Sequence, residues 1–452
     1  MPEEPMPSVA VRRINVHHLF GRYTYLIEVR DNSNLLILYG DNGSGKTTIL
    51  RLLFHLLSTG RRRNHLQSIG QIPFSKFEVQ FNNGLTVFAA RDKSGTGNFR
   101  YGVKDYQDTL VATNILFDED GDLIETASND SDLDQILPLI KSSMGADLYY
   151  IGDDRSVESD RLPSHRSELD IPYSRSQVYA DTIGAFRRRV RSVRASDQRN
   201  EDLVVALATA TEWARNQVIG ATSIGTANTS SIYTDVINRI VIPQVTLGEQ
   251  QTSPHSILQK IRDLEERDKQ YEPFGLASGF AGKELANAFA TANPDSQQVI
   301  MDILQPYLES IEARLEALSS LHSTLSTFAF WMNQLLKDKT ITLRLPQGIE
   351  IFTDTGEALS PEFLSSGEQH LLLLLASTLY AQERPSLFVI DEPELSLNMK
   401  WQRQLLDILT ECTSGGSTQF VLATHSFEIL AGHENQVVQL SDMGSYESAL
   451  PF

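Results

Sequence analysis

The stretch Gly40-Asp41-Asn42-Gly43-Ser44-Gly45-Lys46-Thr47 decides the fold class of this chain. It fits the pattern G-x-x-x-x-G-K-[ST], in which the backbone N–H groups of a glycine-rich turn converge on phosphate oxygens. Residues 35–39 before it form a short apolar run that is typical of a buried parallel strand, and residues 48–54 after it open a helix. Strand, glycine turn and helix in this order predict a phosphate-binding loop within an α/β fold.

The side chains of this loop predict a bound nucleotide. Lys46 supplies the charge that meets the β- and γ-phosphates, and the Thr47 hydroxyl is a ligand for Mg²⁺. The N-terminus of the helix adds partial positive charge at the same place. The predicted nucleotide-binding residues are Asn42, Gly43, Ser44, Gly45, Lys46, Thr47 and Thr48.

Composition places the chain among ordinary globular proteins. Its 452 residues are 41% hydrophobic and 21% charged, which is enough chain for two or three domain-sized units. No stretch approaches the ~18 consecutive apolar residues of a membrane-spanning helix, and the acidic start, Met1–Pro5, does not resemble a signal peptide. The single cysteine, Cys412, lies in a segment with a helical pattern and is expected to be a buried free thiol. We therefore expect a cytoplasmic protein with no membrane partner.

The formal net charge of −19 disfavours diffuse binding to nucleic acid, because such binding needs a positive field over the whole footprint. A local basic surface is still allowed. The best candidate is Arg187–Arg194, with five arginines in eight residues. This run is either a solvated helix face that pairs with the acidic excess or a binding surface, and the sequence leaves both interpretations open.

Hydrophobic patterning divides the chain into three parts, of which residues 1–155 are a β-rich lobe that carries the phosphate-binding loop. Its predicted strands are 14–16, 23–30, a hairpin of Phe74–Phe81 and Leu85–Arg91 around Asn82-Asn83-Gly84, and a core strand at 148–151. Between the hairpin and the core strand we expect a loop rich in Gly, Asp and Ser, with a solvent-exposed turn at 118–122.

Residues 156–338 are predicted to form a compact, mostly helical insertion. The segments with apolar residues every three or four positions are 203–219, 233–242, 257–267 and a single long helix over 297–336. No heptad pattern persists over four repeats, so a long dimeric coiled coil is not expected. Strands return at 340–345 and 349–352 and begin the third part, residues 339–452.

A second apolar strand, Leu387–Ile390, ends in the two carboxylates Asp391 and Glu392. In P-loop enzymes this Walker B arrangement places one carboxylate on the metal ion and the other beside the attacking water. We therefore predict that Asp391 shares the Mg²⁺ with Thr47 and that Glu392 is the catalytic base. A buried strand tip can aim both side chains at the γ-phosphate without a flexible tether.

The segment Leu364-Ser365-Ser366-Gly367-Glu368-Gln369 lies between the two Walker motifs and is followed by a leucine-rich helix. It resembles the signature motif of ABC-type ATPases, in the LSxGE form of SMC-like and DNA-repair members. The resemblance implies that these residues complete the nucleotide site of a second protomer: Ser365, Ser366, Gly367 and Glu368. It therefore implies ATP and Mg²⁺ as cofactors and a homo-oligomer that is a dimer at least, with larger rings also allowed.

Two further segments match the same family after Walker B. Residues 393–398 occupy the place of the D-loop, so the resemblance implies contacts across the dimer for Ser396 and Asn398, although the family commonly has Asp at the latter position. Phe420–Ser426 is an apolar strand that runs into His425, which matches the catalytic switch histidine that senses the γ-phosphate. Four motifs in the family's order predict an ABC-type, SMC/OLD-like P-loop ATPase head with a large helical insertion between Walker A and the signature motif.

The amino-acid sequences of these motifs are similar to those of the AAA-15/AAA-21 group of ATPases. That group includes the OLD nucleases, the AriA subunit of the PARIS anti-phage system and the PtuA subunit of Septu and of some retrons. The similarity covers roughly residues 10–155 and 340–430. OLD proteins carry a nuclease domain after the ATPase, whereas 27 residues follow His425 here, so a nuclease is expected on a separate chain. No glutamine lies near Gly152, where the family has its Q-loop, and Gln67 and Gln71 are the candidates.

Two functions are consistent with these observations. The leading hypothesis is an ATP-binding and ATP-hydrolysing sensor and scaffold of a prokaryotic anti-phage system. It would respond to a phage-derived trigger and control a separate toxic effector, expected to be a nuclease. The alternative is a RecF- or SMC-like ATPase of DNA repair or chromosome maintenance that acts directly on DNA. The acidic net charge and the lack of a long heptad pattern favour the first hypothesis.

Overall fold

The computed structural model describes residues 10–30, 33–60, 64–106, 108–124, 127–159, 202–221, 253–277, 279–345, 347–414 and 416–441. The strands are β1 (Val11–Leu19), β2 (Tyr23–Glu28), β3 (Leu35–Tyr39), β4 (Phe74–Phe81), β5 (Leu85–Gly95), β6 (Phe99–Asp105), β7 (Asp108–Ile115), β8 (Asp147–Ile151), β9 (Val157–Ser159), β10 (Lys339–Arg344), β11 (Gly348–Thr353), β12 (Ala358–Leu359), β13 (Ser386–Asp391), β14 (Thr418–Thr424) and β15 (Val437–Gln439). The α-helices are α1 (Lys46–Leu57), α2 (His65–Gln71), α3 (Ala127–Met144), α4 (residues 202–221), α5 (Pro254–Tyr271), α6 (Gly282–Thr291), α7 (Pro294–Ala317), α8 (Ser319–Leu335), α9 (Ser366–Tyr380), α10 (Met399–Cys412) and α11 (Phe427–Leu430).

A mostly parallel sheet with the order β15-β3-β14-β13-β8-β9 forms the centre of the fold. All its strands run in the same direction except the short β9, which pairs antiparallel with β8. Asp391 lies opposite Ala423, and Thr424 lies opposite Tyr39, so the carboxyl ends of β13, β14 and β3 meet at one edge. The strands predicted at 35–39, 148–151, Walker B and the switch segment are confirmed, and so is the α/β fold class.

Both faces of the parallel sheet are buried, which explains why its strands read as apolar runs. In β3, Leu35 and Ile37 join one hydrophobic core, whereas Leu36 and Leu38 join the other. The leucine-rich α9 and the helical insertion cover the first face, and α1 and the N-terminal lobe cover the second. The strand that carries the phosphate-binding loop is therefore held from both sides.

The N-terminal lobe adds an antiparallel sheet with the order β2-β1-β4-β5-β6-β7. The predicted hairpin is confirmed, because β4 and β5 turn at residues 82–84, where Gly84 has a φ of 90°. The prediction of a loop directly after this hairpin is wrong. Strand β5 continues to Gly95, and strands β6 and β7 extend the sheet to Ile115. Strand β7 lies at the edge of the sheet and its first residues are exposed. Its sequence therefore lacks the alternation of apolar and polar residues by which a strand is predicted.

The helical insertion shares one hydrophobic core with the ATPase motifs, because apolar side chains of α4, α5, α7 and α8 pack in the same cluster as those of α9 and β13. The helices predicted at 203–219 and 257–267 are confirmed within α4 and α5. The single helix predicted over 297–336 is wrong, because it divides at Leu318 into α7 and α8. There the Ser319 hydroxyl donates to the Glu316 carbonyl and competes with the helical ladder. The boundaries chosen at residues 155 and 338 stay predictions.

Two sequence predictions lie outside the described residues, namely the helix at 233–242 and the arginine-rich run Arg187–Arg194. Among the helices that the structure describes, none is both long and apolar enough to cross a membrane. Cys412 is buried in α10, and burial raises the pKa of its thiol to about 12, as expected for a core cysteine.

Candidate nucleotide-binding site

The phosphate-binding loop has the backbone that its glycines predict. Gly43 and Gly45 have φ values of 84° and 91°, in the left-handed region that favours glycine. A Cβ atom on Gly45 would lie 2.8 Å from Leu19 Cδ2, so a larger residue there would require the Leu19 side chain to shift. Gly45 begins α1 without a side-chain cap, and the first N–H groups of this helix are therefore available to an anion.

Lys46 lies folded over this loop and is buried. Its Nζ donates to the carbonyl oxygens of Gly40, at 2.7 Å, and Asp41, at 3.2 Å. The remaining predicted residues of the loop follow the burial expected for an open turn: Asn42 and Gly43 are exposed, whereas Ser44, Thr47 and Thr48 are half-buried. The ammonium group is thus held beside the cradle of N–H groups that a phosphate would occupy.

Asp391 has the environment expected of a metal ligand. It is fully buried at the end of β13, and neither carboxylate oxygen has a hydrogen-bond partner among the described residues. The Thr47 hydroxyl is close enough to influence its pKa but does not have the geometry of a hydrogen bond to it. A hydroxyl and an unpaired carboxylate are hard oxygen ligands of the kind that Mg²⁺ prefers, so these two residues fit the ion.

Burial raises the pKa of Asp391 to about 6, and the neighbouring charges of Asp153 and Glu392 add to this shift, while Thr47 and Arg51 oppose it. Ionised Asp391 therefore destabilises the nucleotide-free protein. Below the unfolded-state pKa of 3.8 the carboxyl is protonated in both states, and stability is lost as the pH rises through about 6. A bound cation would compensate for the buried charge.

Asp391→Asn is accordingly expected to raise the stability of the metal-free protein at neutral pH, by on the order of 2–3 kcal/mol. Near the unfolded-state pKa of 3.8 the gain should disappear, because Asp391 is then neutral in the wild type. Urea unfolding in EDTA across this pH range measures the difference. Asp354→Asn, at an exposed turn, is the matched control for loss of one carboxylate. Equal stability of wild type and Asp391→Asn at neutral pH would contradict the expectation.

Glu392 and His425 are brought into contact by their two strands. His425 Nδ1 lies 2.6 Å from Glu392 Oε2. Glu392 has a φ of 49°, which is unusual for a residue with a side chain, and its N–H donates to the Ala423 carbonyl at 2.9 Å. The strained turn after β13 is therefore fixed against β14, as is common at active sites.

The signature motif begins α9 with a reciprocal capping box. The Ser365 hydroxyl accepts from the Glu368 N–H, and a Glu368 carboxylate oxygen accepts from the Ser365 N–H at 2.7 Å. The other oxygen of Glu368 pairs with Lys339 Nζ at 2.9 Å. Burial opposes the charge of Glu368, but hydrogen bonds from Lys339 and Ser365 outweigh it and lower the pKa. Glu368 is thus bound inside its own chain, whereas Ser365 and Ser366 are exposed.

The D-loop lies directly against this motif. A Cβ atom on Gly367 would lie 2.4 Å from the Ser396 carbonyl oxygen, so the glycine permits the close approach. Ser396 has a φ of 65° and its hydroxyl accepts from Arg155 Nη2. Asn398 caps α10 by accepting from the Trp401 N–H at 3.0 Å. Asn is among the preferred N-cap residues, so Asn398 is well suited to begin this helix.

Residues 246–431, which include the signature, Walker B and switch segments, match the family model described as "AAA domain, putative AbiEii toxin, Type IV TA system". This match, together with the strand order and the motif positions, supports an ABC-like P-loop ATPase head. No curated protein matches it significantly.

Solved SMC head domains are among the similar structures. They are the Pyrococcus furiosus Smc head bound to the C-terminal domain of ScpA (14% identity, 96% of this chain and 94% of that chain, TM-score 0.39), the Pyrococcus yayanosii Smc head with coiled coil and joint (13%, 95% and 95%, 0.38), and the Thermotoga maritima SMC head (11%, 93% and 91%, 0.31). Because these TM-scores are below 0.5, we base the fold assignment on the strand order of the central sheet and on the positions of the motifs.

An aspartate, Asp153, follows β8 at the place where the sequence resemblance predicts the Q-loop. β8 lies beside β13, with Ile151 opposite Ile390, so Asp153 follows at the edge that carries Asp391. Asp153 Oδ1 lies 3.9 Å from Arg51 Nη2. The two glutamine candidates lie elsewhere, in α2, and Gln67 donates to Asp122 at 3.1 Å. Neither glutamine therefore lies at the end of β8.

Sequence reasoning missed two side chains of this site. Arg51 lies one turn after Thr47 on α1 and contacts the Tyr150 hydroxyl and Asp153, and the spacing of four residues could have indicated it. Glu394 is buried behind Glu392, and its Oε1 accepts from the Thr424 hydroxyl and from the N–H groups of the next two residues. No spacing in the sequence reveals those contacts, because the partners lie about thirty residues away.

The carboxylates of Glu392 and Glu394 and the ring of His425 place one ligand atom each within 4.8 Å of one another. Such a trio could hold a metal ion. However, three donors already occupy Glu394 Oε1, and His425 Nδ1 already contacts Glu392. We therefore interpret this trio as a hydrogen-bonded cluster, whereas Thr47 and Asp391 are the pair whose oxygen ligands fit Mg²⁺.

Proposed function

We propose that the ATPase head binds ATP with Mg²⁺ and hydrolyses it. The observation that carries this proposal is the meeting of the P-loop, Walker B and switch side chains at the carboxyl edge of one parallel sheet. A fully buried, unpaired Asp391 beside Thr47 supports a cation there. The predicted roles of these residues are consistent with their positions.

Each side chain has its own task in hydrolysis. Lys46 Nζ exchanges the two loop carbonyls for phosphate oxygens. Thr47 and Asp391 would hold Mg²⁺, which would neutralise charge on the phosphates. Glu392 accepts a proton from the attacking water, and His425 orients that carboxylate through their 2.6 Å contact.

The working site is shared between two copies of the chain. Ser365 and Ser366 expose their hydroxyls at the N-terminus of α9, where partial positive charge favours an anion supplied from outside. Beside the signature motif and the D-loop, Phe363 and Met399 are 64% and 60% exposed. Apolar surface of this kind is commonly covered by a partner. These features support a dimer with ATP at its interface, and rings of such dimers are compatible with them.

Beyond hydrolysis, the chain acts in this proposal as the sensor and scaffold of a prokaryotic anti-phage system in the cytoplasm. It controls a separate effector, expected to be a nuclease, after a phage-derived trigger. The sequence resemblance supports this role, as does a family description that names a toxin of a Type IV TA system. The net charge of −19 favours a protein partner over direct binding to DNA.

The helical insertion is the route from nucleotide to effector. Its core is continuous with α9 and β13, so a change at the signature motif or Walker B reaches α5, α7 and α8 through packed side chains. Nucleotide binding then biases a two-state element, as ligand-driven switches require.

Co-expression with the product of the neighbouring gene tests the defence role. We expect the second protein to co-purify with the ATPase and to elute with it in size-exclusion chromatography. We also expect the complex to hydrolyse ATP and Lys46→Ala to abolish that activity. A lone ATPase that binds DNA tightly at physiological salt, with no co-purifying partner, would contradict the defence role and favour the repair alternative.

A further inference from the structure

A single carboxylate oxygen fixes the loop that follows β14. Glu394 Oε1 accepts from the Thr424 hydroxyl at 2.5 Å, from the His425 N–H at 3.0 Å and from the Ser426 N–H at 3.2 Å. Glu394 is 5% exposed, so these bonds form away from bulk water, where charge-assisted hydrogen bonds are strong. The backbone on both sides of the His425 Cα atom is therefore held by one D-loop side chain.

The same short D-loop is also bound to the signature helix. The Pro393 carbonyl accepts from His370 Nε2 in α9, at 3.1 Å. Burial and the charge of Arg155 lower the pKa of His370 to about 4, so the ring is neutral at physiological pH and Nε2 carries the donated hydrogen. Ser396 lies against Gly367 at the start of α9. Residues 393–396 thus connect the switch histidine to the signature motif within one chain.

From these contacts we infer that Glu394 is a positioning residue for ATP hydrolysis, which holds His425 against Glu392 and couples the switch loop to the signature helix. This inference rests on the proposed hydrolysis of ATP at this site. Glu394 itself does not touch the nucleotide in this scheme. It acts by fixing the angle at which His425 meets the Glu392 carboxylate, and a misplacement of about 1 Å can cost ~10²-fold in rate.

The contacts predict a difference between two substitutions. In Glu394→Gln the side-chain carbonyl can still accept from the three donors, so much of the activity should be retained. In Glu394→Ala the Thr424 hydroxyl and the His425 N–H lose this acceptor, the Ser426 N–H keeps only Thr424 Oγ1, and the His425 loop is released from the D-loop. The loop keeps other contacts, because the Ser426 hydroxyl donates to Gln402 Oε1 at 2.7 Å and His425 Nδ1 lies 2.6 Å from Glu392 Oε2. We therefore expect a loosened loop rather than an unfolded protein.

Steady-state kinetics and nucleotide binding measure this difference. For Glu394→Ala we expect kcat to fall about 10–100-fold, as for other residues that orient a catalytic group, with KM and the affinity for Mg-ATP nearly unchanged. For Glu394→Gln we expect kcat within about 5-fold of wild type. Thr424→Val removes the hydroxyl that donates to Glu394 and that also accepts from the Ser426 N–H at 3.0 Å, and it should give an intermediate loss. A thermal-unfolding scan of each variant checks that it is folded.

A double substitution separates positioning from general destabilisation. If Glu394 acts through the His425–Glu392 pair, Glu394→Ala should cause little further loss in a Glu392→Gln background, because both changes remove the same step. Losses that multiply, or a KM that rises as much as kcat falls, would overturn the inference. Wild-type kcat in Glu394→Ala would overturn it as well, while leaving the proposed ATPase activity intact. A wild-type protein that hydrolyses no ATP would instead overturn the proposed function.

Discussion

Glu392→Gln is expected to bind Mg-ATP normally and to hydrolyse it about 10²–10⁴-fold more slowly than wild type, the usual cost of losing a positioned base. Glu392 follows the buried Asp391 at the end of β13, and its carboxylate is the acceptor that contacts His425. An amide at this position keeps the shape but cannot take a proton from water. Phosphate release under single-turnover conditions measures the loss, and size-exclusion chromatography with ATP should show a nucleotide-bridged oligomer accumulating.

Two controls define what this result means. Lys46→Ala removes the charge beside the phosphate cradle and should abolish nucleotide binding itself, so no ATP-dependent oligomer should form. Glu357→Gln makes the same chemical change at an exposed turn and should behave as wild type. Turnover by Glu392→Gln at the wild-type rate would show that the base is another group and would remove Glu392 from the mechanism.

The central sheet could be predicted from sequence because its motifs lie at strand ends. A strand buried on both faces reads as an apolar run, and the polar residue that follows it is forced to the sheet edge. Leu35–Tyr39 before the P-loop and Leu387–Ile390 before Asp391 both have this pattern. Parallel pairing then brings the loops together at one edge, which the order β3-β14-β13 confirms.

Contacts between distant segments could not be predicted in the same way. The carboxylate of Glu368 is held by the Ser365 N–H and by Lys339, and Lys339 comes from another element, β10. Glu394 has no local pattern at all, because its three donors come from the end of β14. The edge strand β7 was missed because solvent, rather than a core, faces its first residues.

The site's electrostatics are likewise a tertiary property. Asp153 and Asp391 are far apart in sequence, and only the pairing of β8 with β13 brings them to the same edge. Burial then raises the pKa of Asp391, which is fully buried at the end of β13. The Walker B motif predicts that Asp391 is the metal ligand, whereas the burial of Asp391 in the fold determines its pKa.

A mixture of two inactive variants is expected to recover activity if the nucleotide site is shared. Lys46→Ala loses the phosphate contact, and Ser365→Arg places a long side chain at the exposed start of α9, where a partner's phosphate would lie. Each variant alone should be inactive. In a mixed pair, the intact P-loop of one copy meets the intact signature motif of the other, which leaves one working site. With random pairing into two-fold dimers, the mixture should show about a quarter of wild-type turnover.

The recovery distinguishes a shared site from two sites that each lie within one chain. If Ser365 acted only in its own chain, no mixed pair would contain a working site, and activity would stay near zero at every mixing ratio. Ser365→Arg also removes an N-cap, at a cost of about 1 kcal/mol, so its folding must be checked by thermal unfolding. Adding Lys46→Ala to the Ser365→Arg chain supplies the matched control. That double variant, mixed with Lys46→Ala, has no intact P-loop and should recover nothing, so any activity in the first mixture must come from residues of two different copies.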